Sequence, residues 1–302
     1  MYQYWGFGLH ISSEIEFPEL LPYEFSSPDV VFRYGKTPKT IEGKVILKNG
    51  SSYIIADREL LFTVDDVARY YASGGDTVTI EPCESVLEMR TIRLYILATV
   101  MAGILTQRSL LPFHASAIIR DEALILITGD SQAGKSTSLA GLLKKGHTIF
   151  SDDILVLKKG EDNRITANAS YPMIKLWDDT LDKLDHDPFR DRSFRVRHDL
   201  DKFGFFFHRD FNTSHYPLKK IFILKKEDIP SVRIKTLSGF NAFEALRKQV
   251  YRPFLLQSDA LFSFRFSVLT ELSKTCTVYE ISRPLVCNPE ELITHIETTI
   301  DE

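Results

Sequence analysis

The chain has 302 residues, a length typical of two domains or of one large domain with an extension. Its hydrophobic fraction of 44% and charged fraction of 26% are those of an average globular protein, which excludes a collagen-like or disordered chain. Lys and Arg number 37 against 41 Asp and Glu, and the net charge of −4 gives no general attraction to nucleic acid or to an anionic membrane. We therefore expect neither as a partner.

The cysteines and the N-terminus bear on location. Cys83, Cys276 and Cys287 lie far apart and in no metal-ligand spacing, which favours reduced thiols. The first residues carry neither the basic nor the apolar segment of an export signal. The longest uncharged run, residues 94–107, is short for a membrane span and favours a core helix. These patterns predict a cytoplasmic protein.

The N-terminal third reads as a small β-rich domain. From residue 4 to about residue 82, short β-type runs alternate with turn signals such as Gly74-Gly75-Asp76, which favours mainly antiparallel strands. Residues 86–105 are too densely apolar for a one-sided stripe and predict a buried helix. We place the boundary just before that helix, with one domain over residues 1–84 and a second over residues 85–302.

After the buried helix, the second domain has a predicted hairpin around the charged turn at residues 120–122, followed by a helix that reaches Lys145. Further strands are expected at 154–157 and 221–224, and helices at 241–251 and 258–273. A last helix is expected to begin with Asn288 as its N-cap and Pro289 in its first turn. Residues 181–211 are polar and lack periodicity, which predicts a loop or an active-site cover.

Residues 129–136 match the Walker A pattern G-x-x-x-x-G-K-[ST] between a predicted strand and a predicted helix. In such a loop, backbone N–H groups converge on phosphate oxygens at the helix N-terminus. Lys135 would reach the β- and γ-phosphates, and the Ser136 hydroxyl would take one position on Mg²⁺. We expect ATP and Mg²⁺ as cofactors. The residues expected to bind them are Gly129, Asp130, Ser131, Gln132, Ala133, Gly134, Lys135, Ser136 and Thr137.

Asp152 and Asp153 directly precede a predicted strand. Carboxylates beside a phosphate loop can hold Mg²⁺ or take a proton from an attacking hydroxyl. In a regular strand their side chains point to opposite faces, so a bend is needed for both to face the phosphates. A solvated acidic pair is the alternative. His114 could bind phosphate or tune a carboxylate, and a core or turn histidine is its alternative.

Together these motifs and their spacing resemble the C-terminal catalytic domain of HPr kinase/phosphorylase. The resemblance implies an α/β (α+β) P-loop kinase fold with a mixed sheet, related to the ATP-dependent phosphoenolpyruvate carboxykinases. It implies that Asp152 is the general base, that Asp153 and Ser136 are metal-side residues, that Lys135 clamps the phosphates and that His114 lies near the transferred group. The matching residues are His114-Ala115-Ser116, residues 129–137, Gly146-His147 and Asp152-Asp153.

The likeness to HPr kinases has limits. Thr137 stands where HPr kinases have glutamate, and their later Leu-Glu-Ile-Arg-Gly signature has no counterpart here. HPr itself is therefore only an alternative acceptor. Oligomeric state is also left open, because the HPr kinases form hexamers but the C-terminal region of this chain departs from theirs.

A second resemblance spans nearly the whole chain. It is similar to the HPr-kinase-like enzymes of lasso peptide biosynthesis, which phosphorylate the C-terminal serine of a precursor peptide. This implies a serine kinase with a peptide partner. The matching segments are Trp5-Gly6-Phe7-Gly8-Leu9, Ser13-Glu14-Ile15, Pro18-Glu19-Leu20, His114-Ala115-Ser116-Ala117, Tyr171-Pro172 and Lys175-Leu176-Trp177.

Other functions remain open at this stage. The acceptor could be a small-molecule alcohol or an HPr-like protein, or the chain could be an ATP-sensing module without turnover. Residues 189–197 include four arginines, Arg190, Arg192, Arg195 and Arg197. Such arginines could hold a C-terminal carboxylate or the ATP phosphates bidentately, and a solvated basic loop is the alternative.

Overall fold

The computed structural model describes residues 1–48, 50–84, 88–184 and 189–301 and has an α+β fold. It divides into two compact units, residues 1–112 with 251–265 and residues 113–250 with 266–302. The expected boundary at residue 84 differs from this division, and residues 85–87 lie outside the described residues. The first unit continues through the helical stretch that follows because this stretch packs on its strands. The Tyr70 hydroxyl, for example, donates a hydrogen bond to the carbonyl oxygen of Ile92.

The first unit is built on one mixed sheet. Its strands are β1 (Tyr2–Gly6), β2 (Leu9–Ser13), β3 (Leu21–Pro22), β4 (Val30–Tyr34), β5 (Lys44–Lys48), β6 (Ser51–Ala56), β7 (Glu59–Val64), β8 (Ala68–Ser73) and β9 (Thr77–Pro82). They lie in the order β3-β1-β2-β4-β9-β8-β7-β6-β5. The pairs β2–β4 and β4–β9 are parallel, whereas the neighbours from β5 to β9 are antiparallel. Stacked Tyr53, Phe62 and Tyr70 rings fill part of the core beneath it.

A nearly continuous helical stretch follows in the first unit. It consists of α1 (Met89–Tyr95), a π-helical segment (Ile96–Val100) and α2 (Met101–Gln107). By length and hydropathy, Met89–Gln107 could cross a membrane, but 61% of its most apolar window is buried inside the protein. Such burial is typical of a core helix, as the sequence predicted.

The second unit also contains a mixed sheet. Its strands are β11 (Ala115–Arg120), β12 (Ala123–Gly129), β13 (Thr148–Ser151), β14 (Leu155–Lys159), β15 (Ile165–Ala169), β19 (Tyr216–Glu227), β20 (Arg233–Leu237) and β21 (Thr277–Pro284). Six of these strands lie in the order β14-β15-β19-β12-β11-β13. Off this path, β21 pairs with both β19 and β20. The pairs β12–β19 and β19–β21 are parallel and β11–β12 is the predicted hairpin. The mixed sheet that the HPr kinase resemblance implies is therefore observed.

The described residues also form a small antiparallel sheet and further helices. The small sheet has the order β16-β18-β17, from β16 (Met173–Trp177), β17 (Arg195–Arg197) and β18 (Leu200–Phe206). The unit boundaries fall within β10 (Leu111–Phe113) and α6. The helices are α3 (Lys135–Lys144), α4 (Asp178–Leu184), α5 (Gly239–Arg247), α6 (Asp259–Thr275) and α7 (Pro289–Asp301).

Residues 181–211 are more ordered than the sequence predicted. They contain β17 and β18 in addition to the end of α4, although residues 185–188 lie outside the described residues. The strand forms because Phe203 and Phe205 both lie buried on one face of β18, and the Phe189 ring makes a T-shaped contact with Phe205. In the sequence, Gly204 and the adjacent Phe206 and Phe207 obscure this alternation.

The helix that follows the Walker A residues is held in place by α7. A Cβ atom on Gly141 of α3 would lie 2.0 Å from Cδ1 of Ile293, so only glycine allows the two helices to approach this closely. Leu139, Leu142, Ile293 and Ile296 are buried in the same core. The N-terminus of α3 is thereby fixed against the sheet.

Candidate active site

The Walker A residues form the connection between β12 and α3, as predicted. Gly129, at the end of β12, has φ +140°, and a Cβ atom there would lie 2.3 Å from the carbonyl oxygen of Leu224 on the neighbouring strand. Gly134 has φ +111° and Gln132 has φ +64°. The loop therefore needs left-handed backbone at three positions, and glycine supplies it where the space is tightest.

Lys135 lies buried beneath this loop. Its Nζ donates hydrogen bonds to the carbonyl oxygens of Gly129, at 2.7 Å, and Asp130, at 3.0 Å. Burial lowers the pKa of Lys135, and the nearby carboxylates of Asp153 and Asp152 oppose that shift. The ammonium group therefore lies within the loop, where the sequence places the phosphate clamp.

Asp152 is buried and accepts hydrogen bonds from three donors. The Ser116 hydroxyl lies 2.6 Å from Oδ1, the backbone N–H of Lys175 lies 3.0 Å from Oδ2, and the Ser136 hydroxyl lies 3.2 Å from Oδ1. A buried carboxylate is tolerated when donors satisfy it in this way. Its position joins Ser136 of the loop to the strand β11 and the small sheet.

Asp153 points elsewhere because the chain bends between the two aspartates. Its φ is +73°, and this supplies the departure from regular strand geometry that the sequence argument requires. Its carboxylate forms an ion pair of 2.7 Å with Lys175 and lies 3.6 Å from Nε2 of His114. Burial alone would raise the pKa of Asp153, but the positive charges of Lys175 and Lys202 hold it well below its usual range.

His114 lies between β10 and β11, facing Asp153. Its backbone N–H donates to the carbonyl oxygen of Gln249 at 2.8 Å, and its own carbonyl accepts from the Thr128 hydroxyl at 2.5 Å. Burial lowers the pKa of His114 below its ordinary value of 6.5, although the Asp153 charge acts in the opposite direction. Its imidazole is consequently neutral at pH 7.

These groups line a cavity of about 620 Å³ within the second unit. That volume suits a nucleotide-sized ligand, for which pockets are roughly 300–1,000 Å³. His114, Lys135, Ser136 and Asp153 contribute to its wall, whereas Asp152 lies behind Ser136. The described lining also includes Ser131, Gln132, Gly134, Thr137, Trp177, Lys202, Arg283, Leu285, Val286, Cys287, Pro289 and Leu292.

The sequence alone assigns no role to three basic residues of the site. Lys175 neutralises Asp153, and Nζ of Lys202 lies 5.5 Å from the centre of the Trp177 ring at the cavity wall. Arg283, at the end of β21, donates to the loop carbonyls of Ala133 and Gln132 at 2.7 and 2.9 Å. Lys175 belongs to the segment Lys175-Leu176-Trp177 that resembles the lasso peptide enzymes, but nothing in the sequence links Arg283 to the loop.

The arginine-rich segment does not contribute to the cavity. Arg192 pairs with Asp178 and Asp182, at 2.5 and 2.6 Å. Arg195 pairs with Asp201 and Arg197 with Asp199. Among the described residues that line the cavity, none comes from this segment. These contacts favour the solvated basic segment over the anion-binding alternative.

The protein ligands for a metal ion are few. In the described parts of the chain, no group of three or more His, Cys, Asp or Glu side chains is arranged to hold one. Mg²⁺ does not need such a group, since it commonly uses one or two protein ligands with substrate phosphates and water. Ser136 and Asp152 offer oxygen ligands at the start of α3, within hydrogen-bond distance of each other.

The chain was compared with known proteins. No protein-family model matches it, and no curated protein is similar to it in sequence. Among solved structures it is similar to the HPr(Ser) kinase/phosphatase from Coxiella burnetii, with 16% identity and a TM-score of 0.31 over 63% of this chain and 88% of that chain. A similarity of this size does not establish a shared function, so the proposals below depend on the residues of this site.

Proposed function

We propose that the chain is an ATP-dependent kinase that transfers the γ-phosphate to a serine hydroxyl, with the C-terminal serine of a precursor peptide as the acceptor. One observation carries the proposal. Side chains with the chemistry to bind phosphate, hold a metal ion and accept a proton line a single cavity at the N-terminus of α3, namely Lys135, Ser136, Asp153 and His114. A nucleotide sensor needs the first two groups but has no use for a proton acceptor.

The phosphate chain of ATP would lie along the loop. The N-terminus of α3 presents backbone N–H groups and a positive partial charge to it. Lys135 now donates to the carbonyls of Gly129 and Asp130, and phosphate oxygens are stronger acceptors for the same ammonium group. Because phosphoryl transfer depends mainly on positioning and charge stabilisation, these groups supply the main requirement.

Mg²⁺ would be held at Ser136, with Asp152 behind it. The Ser136 hydroxyl already lies 3.2 Å from Asp152, whereas Asp153 is engaged by Lys175 at 2.7 Å. This proposal exchanges the roles that the family resemblance implies for the two aspartates. Bound Mg²⁺ would neutralise charge on the β- and γ-phosphates.

His114 and Asp153 would accept the proton of the attacking hydroxyl. A neutral imidazole is a suitable base at pH 7, whereas the paired Asp153 carboxylate is a weak one. The serine oxygen forms the new bond to the γ-phosphorus as the bond to the bridging oxygen breaks, and ADP leaves. The proton passes to His114, and the Asp153 carboxylate at 3.6 Å stabilises the resulting imidazolium.

The acceptor side of the cavity is basic. Lys202 lies there against the Trp177 ring, near enough to His114 and Asp153 to influence the pKa of each. A C-terminal serine brings a carboxylate close to its own hydroxyl, and a lysine at this place could bind that carboxylate. This supports a peptide terminus over a neutral alcohol as acceptor.

The test is intact mass spectrometry of a linear peptide ending in serine after incubation with Mg-ATP. The wild-type protein should add one phosphate, and the same peptide with a C-terminal alanine should remain unmodified. Lys135→Ala and His114→Gln should each remove most of the product. Bound ATP without phosphate on this peptide or on free serine would favour the sensor, and phosphate on free serine alone would favour a small-molecule kinase.

A further inference from the structure

The cavity has two chemically different walls. One comes from β16, β18 and the residues around Asp153, and it carries His114, Asp153 and Lys202 beside Leu176 and the Trp177 ring. The other comes from the segment between β21 and α7, residues 285–288, together with the first residues of α7. On this second wall, Leu285, Val286, Pro289 and Leu292 are apolar. A ligand with a charged end and an apolar end would be bound in one orientation.

The second wall lies directly beside the phosphate loop. A Cβ atom on Gly134 would lie 3.7 Å from both Nε of Arg283 and Cδ2 of Leu292. Arg283 donates to loop carbonyls and also to the carbonyl oxygen of Pro284, at 2.9 Å. Arg283 thus holds the chain that leads into residues 285–288 close to the phosphate loop. A ligand bound at the loop therefore lies next to this second wall.

Two apolar side chains of this wall are exposed, whereas Leu292 is buried. Val286 is 92% exposed and Leu285 is 51% exposed, and both line the cavity that contains the phosphate-loop residues. Exposed apolar surface next to a binding groove gains free energy when a flat, apolar ligand covers it. A nucleoside triphosphate with its phosphates in the loop carries such a group, its base, at the far end of the molecule.

We infer that Leu285, Val286 and Cys287, with Pro289, form the wall that binds the purine base of the nucleotide. The inference deepens the proposed function and rests on its nucleotide site. The base packs on this wall, and the opposite wall, with His114, Asp153 and Lys202, is left to the acceptor. The two substrates therefore enter from different sides of the loop, which in-line transfer requires.

The test separates base binding from phosphate binding. Affinities for Mg-ATP and for inorganic tripolyphosphate are measured by calorimetry with the full chain and a Leu285→Ser/Val286→Ser variant. Because a lost apolar contact of two side chains is worth about tenfold or more in affinity, ATP binding should weaken by at least that factor. Tripolyphosphate binding should change less than twofold, since the variant adds no charge.

A matched control uses two equally exposed apolar residues of the first unit. Val45 and Leu47 on β5 are 61% and 78% exposed, and Val45→Ser/Leu47→Ser should bind both ligands like the wild type. Unchanged ATP affinity in the Leu285→Ser/Val286→Ser variant would overturn the inference while leaving the proposed function intact. A loss of ATP affinity only in Trp177→Ala would do the same and would move the base to the opposite wall. A wild-type protein that binds neither ligand would overturn both proposals.

Cys287 offers a second measurement that needs no loss of affinity. It lines the cavity beside Val286 and is partly exposed, whereas Cys276 is buried. In a Cys83→Ser background, ATP should slow the reaction of Cys287 with a maleimide by about tenfold, because the base covers it. Tripolyphosphate should have little effect. Equal protection by the two ligands would contradict a base on this wall.

Discussion

Nε of Arg283 lies 2.7 Å from the carbonyl oxygen of Ala133, which joins the end of β21 to the middle of the phosphate loop. A second donor of the same guanidinium reaches the carbonyl oxygen of Gln132 at 2.9 Å. The guanidinium thereby holds the backbone of two successive loop residues in place.

Replacing Arg283 should weaken nucleotide binding without removing any group that contacts phosphate. Because hydrogen bonds to a charged donor contribute about 1.5–3 kcal/mol, Arg283→Ala should weaken ATP binding by about tenfold or more. Arg283→Lys should recover part of it. Calorimetry provides the measurement, with Arg233→Ala, an exposed arginine on β20, as the control. Wild-type affinity in Arg283→Ala would mean that the loop keeps its shape unaided.

The pH dependence of transfer should report His114. The histidine accepts a proton only when neutral, and its pKa is lowered from the ordinary value of 6.5, mainly by burial. Activity should therefore fall as the pH decreases through the lowered pKa, with its midpoint below pH 6.5. The profile of kcat/KM for the acceptor peptide gives the midpoint. His114→Gln should lose most activity together with this acid limb, and a limb that survives the substitution would assign it to another group.

Some of this site follows from the sequence and some does not. The positions of Gly129, Gly134 and Lys135 depend on a local motif, and the structure places them between a strand and a helix as predicted. The side chains of Asp152 and Asp153 have different partners because the backbone φ of Asp153 is +73°, an angle that no residue pattern encodes. Arg283 and Ala133 are 150 residues apart, so only the completed sheet brings them together.

The same contrast appears in the fold. The β11–β12 hairpin and the final helix were predictable because their turn and cap signals are local. The sequence does not predict β17 and β18, since Gly204 and Phe206 obscure the alternation of the buried Phe203 and Phe205. The sequence predicts a domain boundary at residue 84, whereas the first compact unit includes the helical stretch to residue 112 and residues 251–265, which a linear pattern does not reveal.

The ion pair between Lys175 and Asp153 should contribute to stability and make it pH-dependent. Because removing Lys175 leaves the partly exposed Asp153 carboxylate without its partner, Lys175→Met should lower the free energy of unfolding by less than the about 3–5 kcal/mol of a fully buried pair. The pKa of Asp153 is depressed in the folded state, so its contribution is complete above the unfolded value and is lost as the pH falls below it. Urea unfolding at several pH values measures both effects.

The control for that prediction is the double variant. Lys175→Met/Asp153→Asn removes both charges and should recover much of the loss, although it should not recover catalysis, since the acceptor site needs Asp153. If Lys175→Met alone unfolds at the same urea concentration as the wild type, the pair is not a stabilising contact. The comparison thereby separates the contribution of Asp153 to stability from its role in phosphoryl transfer.

The two aspartates should respond differently to Mg²⁺. Asp152 positions Ser136 through a hydrogen bond of 3.2 Å, and residues behind a metal ligand typically affect metal affinity by about 10–100-fold. Asp152→Asn should therefore raise the Mg²⁺ concentration needed for half-maximal transfer by at least about tenfold. Asp153→Asn should leave that concentration nearly unchanged and lower the transfer rate. The titration is made with the peptide assay at saturating ATP.

ATP binding without metal is the control for a structural effect of the two substitutions. ATP with EDTA should bind to both variants as it binds to the wild type, because neither aspartate is expected to contact the phosphates. The reverse pattern, with Mg²⁺ dependence shifted in Asp153→Asn and a slow rate at unchanged Mg²⁺ demand in Asp152→Asn, would restore the roles that the family resemblance implies. The proton would then have to reach Asp152, which already accepts hydrogen bonds from Ser116, Ser136 and the Lys175 amide.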